Sequence, residues 1–444
     1  MIKDGDNSDL DQEALTAFRA CSFALGEGRL AFELRPRPRD VETAFSGDYD
    51  YLMDASRFAE IVQMFFVVCL EHAVSFQVRH RAAFKRQIIL FGGSDREITV
   101  EFWPHAELAT GDDRDDWSYL LFGSFVEACE RGLKEEILAL VFLCHLHFKN
   151  KDLSDPQNQW RLEEFAGRMS KIVQEGRDHA VLAGKIRGLL TGVREGSLSL
   201  EGANREAIGL LREEKIQLED REVAKRQRWQ RKAGRIFRGW GARIVPCVGP
   251  DGSGKTHFID SVMGLAEEKE LDVASIRFKH LFRKNFIYGR INKRYRVRHD
   301  LPKNTADERL APLLYWAAMP LYWWNILRSL GRDAVFMDRF FLEFMVQGYR
   351  EDGDQGLREM PGYSLLSRLI PEPRRMVVLA ADNELITSRK AELSAEAIQD
   401  FYRRYVDYSV EARVSIVLFL NSHRSGSELA GMCLGSLGLR GGSR

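Results

Sequence analysis

Paired cysteines are missing from this sequence. The six it has, Cys21, Cys69, Cys129, Cys144, Cys247 and Cys433, are scattered through 444 residues. They have neither the spacing of a zinc site nor the density of a disulfide-stapled domain. Most lie in apolar context, where a free thiol packs as a small hydrophobe. Net charge is missing too: 65 Lys and Arg balance 65 Asp and Glu. Nothing therefore draws the whole chain toward nucleic acid or an anionic bilayer. The first residues hold no basic region followed by an apolar stretch, so no signal peptide is expected and a reducing, cytoplasmic setting follows. Internal repeats and low-complexity tracts are absent. One charge-free run, Leu310 to Leu327 (LAPLLYWAAMPLYWWNIL), approaches the length of a membrane span. Pro312, Pro320 and Asn325 inside it favour a buried core helix. A helix resting on a membrane surface is the lesser alternative.

What is present is an ordinary globular composition, 45% apolar and 29% charged, long enough for two or three domains with real cores. Residues 12–35 read as helix and then short extended chain. Tyr49 to Met53 reads as a strand and Ala55 to His72 as an amphipathic helix. Gln87–Phe91 and Ile98–Trp103, joined by Gly92-Gly93-Ser94-Asp95, form a hairpin signal. From about 117 to 235 the pattern is almost wholly helical. Its last part, Arg221 to Arg243, is rich in Lys and Arg with Trp229, Phe237 and Trp240 interleaved, and reads as a solvated linker helix. Apolar runs then alternate with helical stretches: Arg243–Val248, Val273–Phe278, Ala334–Met337, Met376–Ala380 and Ser415–Leu420. That alternation predicts a doubly wound α/β domain with a parallel sheet.

The most informative segment is Gly249-Pro250-Asp251-Gly252-Ser253-Gly254-Lys255-Thr256. It fits G-x-x-x-x-G-K-[ST], between a predicted strand and a predicted helix. Glycines let the backbone curl so that successive N–H groups point at phosphate oxygens, and the next helix adds its positive end. Lys255 can reach the β- and γ-phosphates, and the Thr256 hydroxyl can ligate Mg²⁺. The chain is therefore expected to bind a nucleoside triphosphate, ATP with Mg²⁺. Gly249, Asp251, Gly252, Ser253, Gly254, Lys255 and Thr256 are the binding residues.

Two further clusters narrow the chemistry. Asp338-Arg339-Phe340 follows the apolar run 334–337, which sets a carboxylate at a strand end beside the phosphate loop. There it can hold Mg²⁺ or polarise an acceptor hydroxyl, while Arg339 grips a phosphate. Ser388-Arg389-Lys390 follows the strand ending near Ala380, where a cation closing over the triphosphate would screen charge and exclude water. With Lys255, the catalytic set is Asp338, Arg339 and Arg389.

On GPDGSGKT, DRF (338–340), the strand Met376–Ala380, SRKAEL (388–393) and FYRRYVDY (401–408), the segment 243–437 resembles the thymidylate kinase-like family of P-loop kinases. The resemblance implies that Lys255 and Thr256 serve ATP–Mg²⁺ and Asp251 faces the acceptor. It also implies that Arg339 contacts the acceptor and Arg389 acts from a lid. True thymidylate kinases have a DRY-x-x-S-x-x-A-Y-Q-G run. Here DRFFLEFMVQG lacks the serine, and Glu343 stands in its place, which argues against dTMP as acceptor. The likeness is closest to a branch with an extra N-terminal domain, in which a sugar or sugar phosphate is a candidate acceptor.

Ser46-Gly47-Asp48-Tyr49-Asp50 is the second motif. Carboxylates at i and i+2 of a strand point to one side. With Glu101 from a neighbouring strand they could hold two Mg²⁺ ions for nucleotidyl transfer. The order of D-x-D strand, helix, hairpin, carboxylate strand and helical bundle over residues 25–200 resembles the nucleotidyltransferase superfamily. The Gly-Ser pair that binds triphosphate there is not evident, and Arg35–Asp40 occupies that stretch. The module is read as active or degenerate with equal weight. His80 and His105 are expected as polar rim residues, and His145 and His147, two apart on a helix, are assigned no chemistry.

The expectation is thus an α+β nucleotidyltransferase-like domain (1–115), a helical extension with a basic linker helix (116–240), and a thymidylate kinase-like P-loop domain (241–444). The activity expected is phosphoryl transfer from ATP–Mg²⁺ to a small-molecule acceptor. A dTMP kinase and an ATP-switched regulatory or membrane-associated protein are the alternatives. Nucleic acid is not expected as a partner, peripheral membrane contact is not favoured, and self-association is left open.

Overall fold

The computed structural model describes residues 7–35, 44–45, 47–80, 85–93, 96–109, 117–220, 243–277, 320, 323–324, 327, 331–338, 373–389, 394–411 and 414–439. Among them the strands are β1 (Ala31–Glu33), β2 (Asp48–Met53), β3 (Phe76–His80), β4 (Arg86–Phe91), β5 (Glu97–Trp103), β6 (His105–Ala109), β7 (Trp117–Leu121), β8 (Leu218–Asp220), β9 (Ile244–Val248), β10 (Val273–Arg277), β11 (Ala334–Asp338), β12 (Arg375–Ala380) and β13 (Ile416–Asn421). The helices are α1 (Asn7–Glu27), α2 (Phe58–Glu71), α3 (Phe122–Glu130), α4 (Lys134–Phe148), α5 (Pro156–Gln174), α6 (Ala180–Arg194), α7 (Leu200–Glu213), α8 (Lys255–Glu268), α9 (Asn383–Arg389), α10 (Ala395–Glu411) and α11 (Gly426–Ser436).

Ten strands form one mixed α/β sheet in the order β1-β2-β5-β4-β3-β13-β12-β9-β11-β10. From β13 to β10 every pairing is parallel. These strands are apolar runs because both faces are covered. Along β12, Met376, Val378 and Ala380 face one core while Val377 and Leu379 face the other. In β13, Val417 and Phe419 alternate with Leu418 and Leu420 in the same way. One face is covered by residues of α8 and α11, such as Phe258, Val262 and Leu434, the other by Tyr402, Tyr405 and Val406 of α10.

The N-terminal strands join this sheet edge to edge. β3 pairs antiparallel with β13, Phe76 opposite Phe419 and Arg79 opposite Ile416. Phe76 and Phe419 stack with ring centres 4.6 Å apart, and Phe66 of α2 lies 4.7 Å from Tyr402 and 5.7 Å from Phe419. Each such buried ring contributes roughly 1.5–3 kcal/mol of transfer free energy, so the seam is core rather than a loose domain contact. Polar groups close it: Asn421 N–H donates to Ser75 Oγ (3.0 Å) and Gln63 Nε2 donates to the Arg403 carbonyl (2.9 Å).

The stretch expected to be almost wholly helical is so from Phe122 to Glu213, but strands flank it. Trp117–Leu121 is strand β7, paired with β6 and β8 in a small separate sheet. Behind it α3–α7 form a bundle around α4, which is buried on all sides from Glu136 to Cys144. The hairpin is present, with Phe91 opposite Glu97 across β4 and β5. All six cysteines are free thiols and all but Cys129 are buried.

Candidate functional site

The phosphate loop leaves the end of β9 and enters α8. Gly252 and Gly254 sit at φ +98° and +90°, left-handed backbone that favours glycine and that turns the loop into the helix. Gly254 is the N-cap of α8, so the helix opens onto the loop with its first N–H groups directed there. Lys255 is almost fully buried. Its ammonium donates to the carbonyls of Gly249 (2.6 Å) and Pro250 (2.8 Å) and lies 3.6 Å from the Asp251 carboxylate. Thr256 is exposed on the first turn of α8.

Asp338 ends β11, whose partner across the sheet is β9: Asp338 is in register with Cys247, two residues before the loop. Asp338 Oδ1 and Ser253 Oγ are buried and have no hydrogen-bond partner among the described residues. An unsatisfied buried polar atom costs about 1–3 kcal/mol. Cys247 adds no nucleophile: burial first, then Cys433 and Asp338, push its thiol well above the usual range. Arg389, at the end of α9, reaches the loop. Its Nη1 donates to the Gly252 carbonyl at 3.1 Å. Tyr402 fixes the neighbouring strand end, accepting from Ala381 N–H (3.0 Å) and donating to the Leu379 carbonyl (3.2 Å).

The structure therefore brings together Gly249, Asp251, Gly252, Ser253, Gly254, Lys255, Thr256, Asp338 and Arg389 at one end of the parallel strands. Arg339 and Lys390–Leu393 lie outside the described residues, as do 221–242, 278–298 and all but four positions of 310–327. Of those four, Trp323 packs at the core edge while Trp324 and Leu327 are exposed. No helix among the described residues is long and apolar enough to cross a membrane.

The second motif forms a separate site. Asp48 and Asp50 on β2 and Glu101 on β5, directly opposite Asp50, line one cavity of about 380 Å³. Asp48 and Asp50 share one side of β2, as their i, i+2 spacing predicts. Two of the three carboxylates expected to hold metal are already in contact with cations. Arg35 pairs with Asp50, which also accepts from Trp103 Nε1 at 3.2 Å. Lys85 pairs with Glu101, which also accepts from Gln87 Nε2 at 2.5 Å. Two unit charges about 4 Å apart interact by about 4 kcal/mol at an effective dielectric of about 20. A divalent ion entering beside either cation meets a repulsion roughly twice that before screening.

His145 also belongs here, although no chemistry was expected of it. Arg35 Nη1 donates to its Nε2 at 2.5 Å. A guanidinium only donates, so Nε2 accepts and the ring is the neutral Nδ1–H tautomer. Burial first, then Arg35, Lys151, Lys149 and Arg161, hold its pKa well below the usual range. His105 lines the same cavity. It is buried, packed edge-on against Tyr119, and burial lowers its pKa to about 4. Arg35, Lys85, Arg161, Lys149 and Lys151 were not singled out from sequence. A usable signal existed in His145 and Lys149, which stand four apart and share a helix face.

No known family matches the chain by sequence profile, and no curated protein matches it. A solved structure similar to it is a thymidylate kinase from Ehrlichia chaffeensis, 17% identical. The match covers 45% of this chain and 99% of that one, with a TM-score of 0.29. An overlap of that size decides neither fold nor activity.

Proposed function

We propose that residues 243–439 form a P-loop phosphotransferase that passes the γ-phosphoryl group of ATP–Mg²⁺ to a small-molecule acceptor. The observation that carries this reading is the convergence of a glycine loop, a buried Lys255, the Asp338 strand end and Arg389 at one helix N-terminus. Phosphoryl transfer asks a protein mainly for positioning and charge, and these groups supply both. Loop and helix N–H groups take phosphate oxygens. Lys255 turns from the Gly249 and Pro250 carbonyls and the nearby Asp251 carboxylate to the β- and γ-phosphates. Thr256 and Asp338 would hold Mg²⁺, which would offset the charge of the phosphates. Asp338 Oδ1, without a hydrogen-bond partner among the described residues, fits that role. Asp251, half-exposed at the loop tip, faces the acceptor side, and Arg389 screens the transferring group from the far wall.

The acceptor is proposed to be a sugar or sugar phosphate rather than dTMP, since Glu343 replaces the serine of the thymidylate kinase run. The test is ATP turnover against a panel of sugars, sugar phosphates and nucleoside monophosphates, with wild type and Asp338→Asn. Acceptor-dependent ADP release lost in the variant supports the proposal. Turnover by Asp338→Asn equal to wild type would contradict it.

A further inference from the structure

We propose that the N-terminal cavity is a metal-free binding site for a phosphate-bearing small molecule, with Arg35 and Lys85 standing where a divalent ion would have to sit. The cavity has two walls. One is the β2–β5 layer, where Asp50 and Glu101 are each matched by a resident cation, Arg35 and Lys85. Their charges are spent on each other, and the Trp103 and Gln87 hydrogen bonds hold both carboxylates in place. The other wall comes from the C-terminal end of α4 and from α5. It adds Lys149, Lys151 and Arg161, the last 94% buried, so the lining carries five cations against three carboxylates. The surplus is positive, and it is reached without any metal.

The pocket is sized and shaped for a metabolite rather than a polymer. Its volume of about 380 Å³ lies in the range of ligand clefts. Trp103 and Phe148 give it an apolar flank, with the Lys85 ammonium 5.0 Å from the Trp103 ring centre. A ligand with a charged phosphate and a flat or apolar body fits both features. A carboxylate-only metal site makes the opposite demand: it needs unpaired acidic oxygens converging on one point. The neutral ring of His145, accepting from Arg35, locks the guanidinium beside Asp50 rather than opening a ligand position there.

The two readings separate on how the acidic residues respond. The probe is inorganic pyrophosphate, titrated calorimetrically into the full-length Lys255→Ala chain so that the phosphate loop does not contribute. Binding is expected in EDTA, with Mg²⁺ changing the affinity less than threefold. The exposed pair Lys149→Met/Lys151→Met, which leaves the bundle core untouched, is expected to weaken it at least tenfold. Asp50→Asn is expected to leave affinity unchanged or raise it, because it removes a negative charge from an anion site. Pyrophosphate binding that requires Mg²⁺ and is lost in Asp50→Asn would overturn the proposal in favour of a metal site. Absence of binding in both EDTA and Mg²⁺, with circular dichroism showing the Lys255→Ala chain folded, would overturn it as well.

Discussion

The loop at 249–256 and the cavity at Asp48, Asp50 and Glu101 are two charged sites on one sheet, and they handle their cations in opposite ways. Lys255 donates to two neutral carbonyls with the Asp251 carboxylate 3.6 Å away, and Asp338 has one buried oxygen without a hydrogen-bond partner among the described residues. In the cavity, Arg35 and Lys85 already hold the carboxylates that a metal would need. Residue type alone does not separate the two: both have acidic groups on strands and basic groups within reach. What differs is how closely the charges are matched: the cavity cations touch their carboxylates, whereas Lys255 donates to carbonyls with Asp251 at 3.6 Å. A site matched internally suits an anion that brings its own charge to the surplus cations. A site matched less closely suits a metal–nucleotide complex.

That contrast can be broken at several points. The largest expected effect is on the framework the sites share. Phe419→Ala removes the ring that stacks on Phe76 and touches Phe66, and should cost about 3–5 kcal/mol. Because the sheet runs unbroken from β1 to β10, calorimetry should show the strands of both halves melting in one transition. Two well-separated transitions would show that the seam is not core. Next is Lys255→Ala, expected to weaken ATP–Mg²⁺ binding by about 100-fold or more, as for loss of a desolvated charge contact.

Arg389→Ala should be milder, about tenfold in turnover with little change in ATP affinity, since its hydrogen bond to the loop is to the Gly252 carbonyl. A drop in affinity with unchanged turnover would place Arg389 in ground-state binding instead. The smallest effect concerns His105. Its folded pKa of about 4 lies below the ordinary 6.5, so the unfolded chain binds the extra proton between those values. Stability should therefore fall as pH drops from about 6.5 toward 4, by about 1–2 kcal/mol at pH 5 from this group alone. Replacing His105 by Gln should flatten that part of a urea-denaturation profile, and an unchanged slope would show that the ring is not held neutral.

Much of the phosphate site was legible because its signals are local. The octapeptide, the apolar run before it and the helix after it are contiguous, and parallel strands covered on both faces read as plain apolar runs. The β4–β5 hairpin was legible for the same reason. The seam was not. β3 reads Phe-Gln-Val-Arg-His, with a fully buried Gln77 that breaks the apolar pattern, and it bonds to a strand far away: Ser75 and Asn421 are 346 residues apart. Strand β7 runs directly into α3 with no Gly or Pro between, so its five residues vanish into a helical pattern. In the cavity the carboxylates were found by their i, i+2 spacing. Their cations come from β1's exit, the approach to β4 and the end of α4, and no periodicity links those places.

The measurement that tests the central claim most directly is ATP titration of the full-length chain, in Mg²⁺ and in EDTA. It would compare wild type, Lys255→Ala and Lys149→Met/Lys151→Met. The expected result is a Mg²⁺-dependent component of binding that disappears in Lys255→Ala and survives in the double variant. A Mg²⁺-dependent component that survives in Lys255→Ala and disappears in the double variant would contradict it.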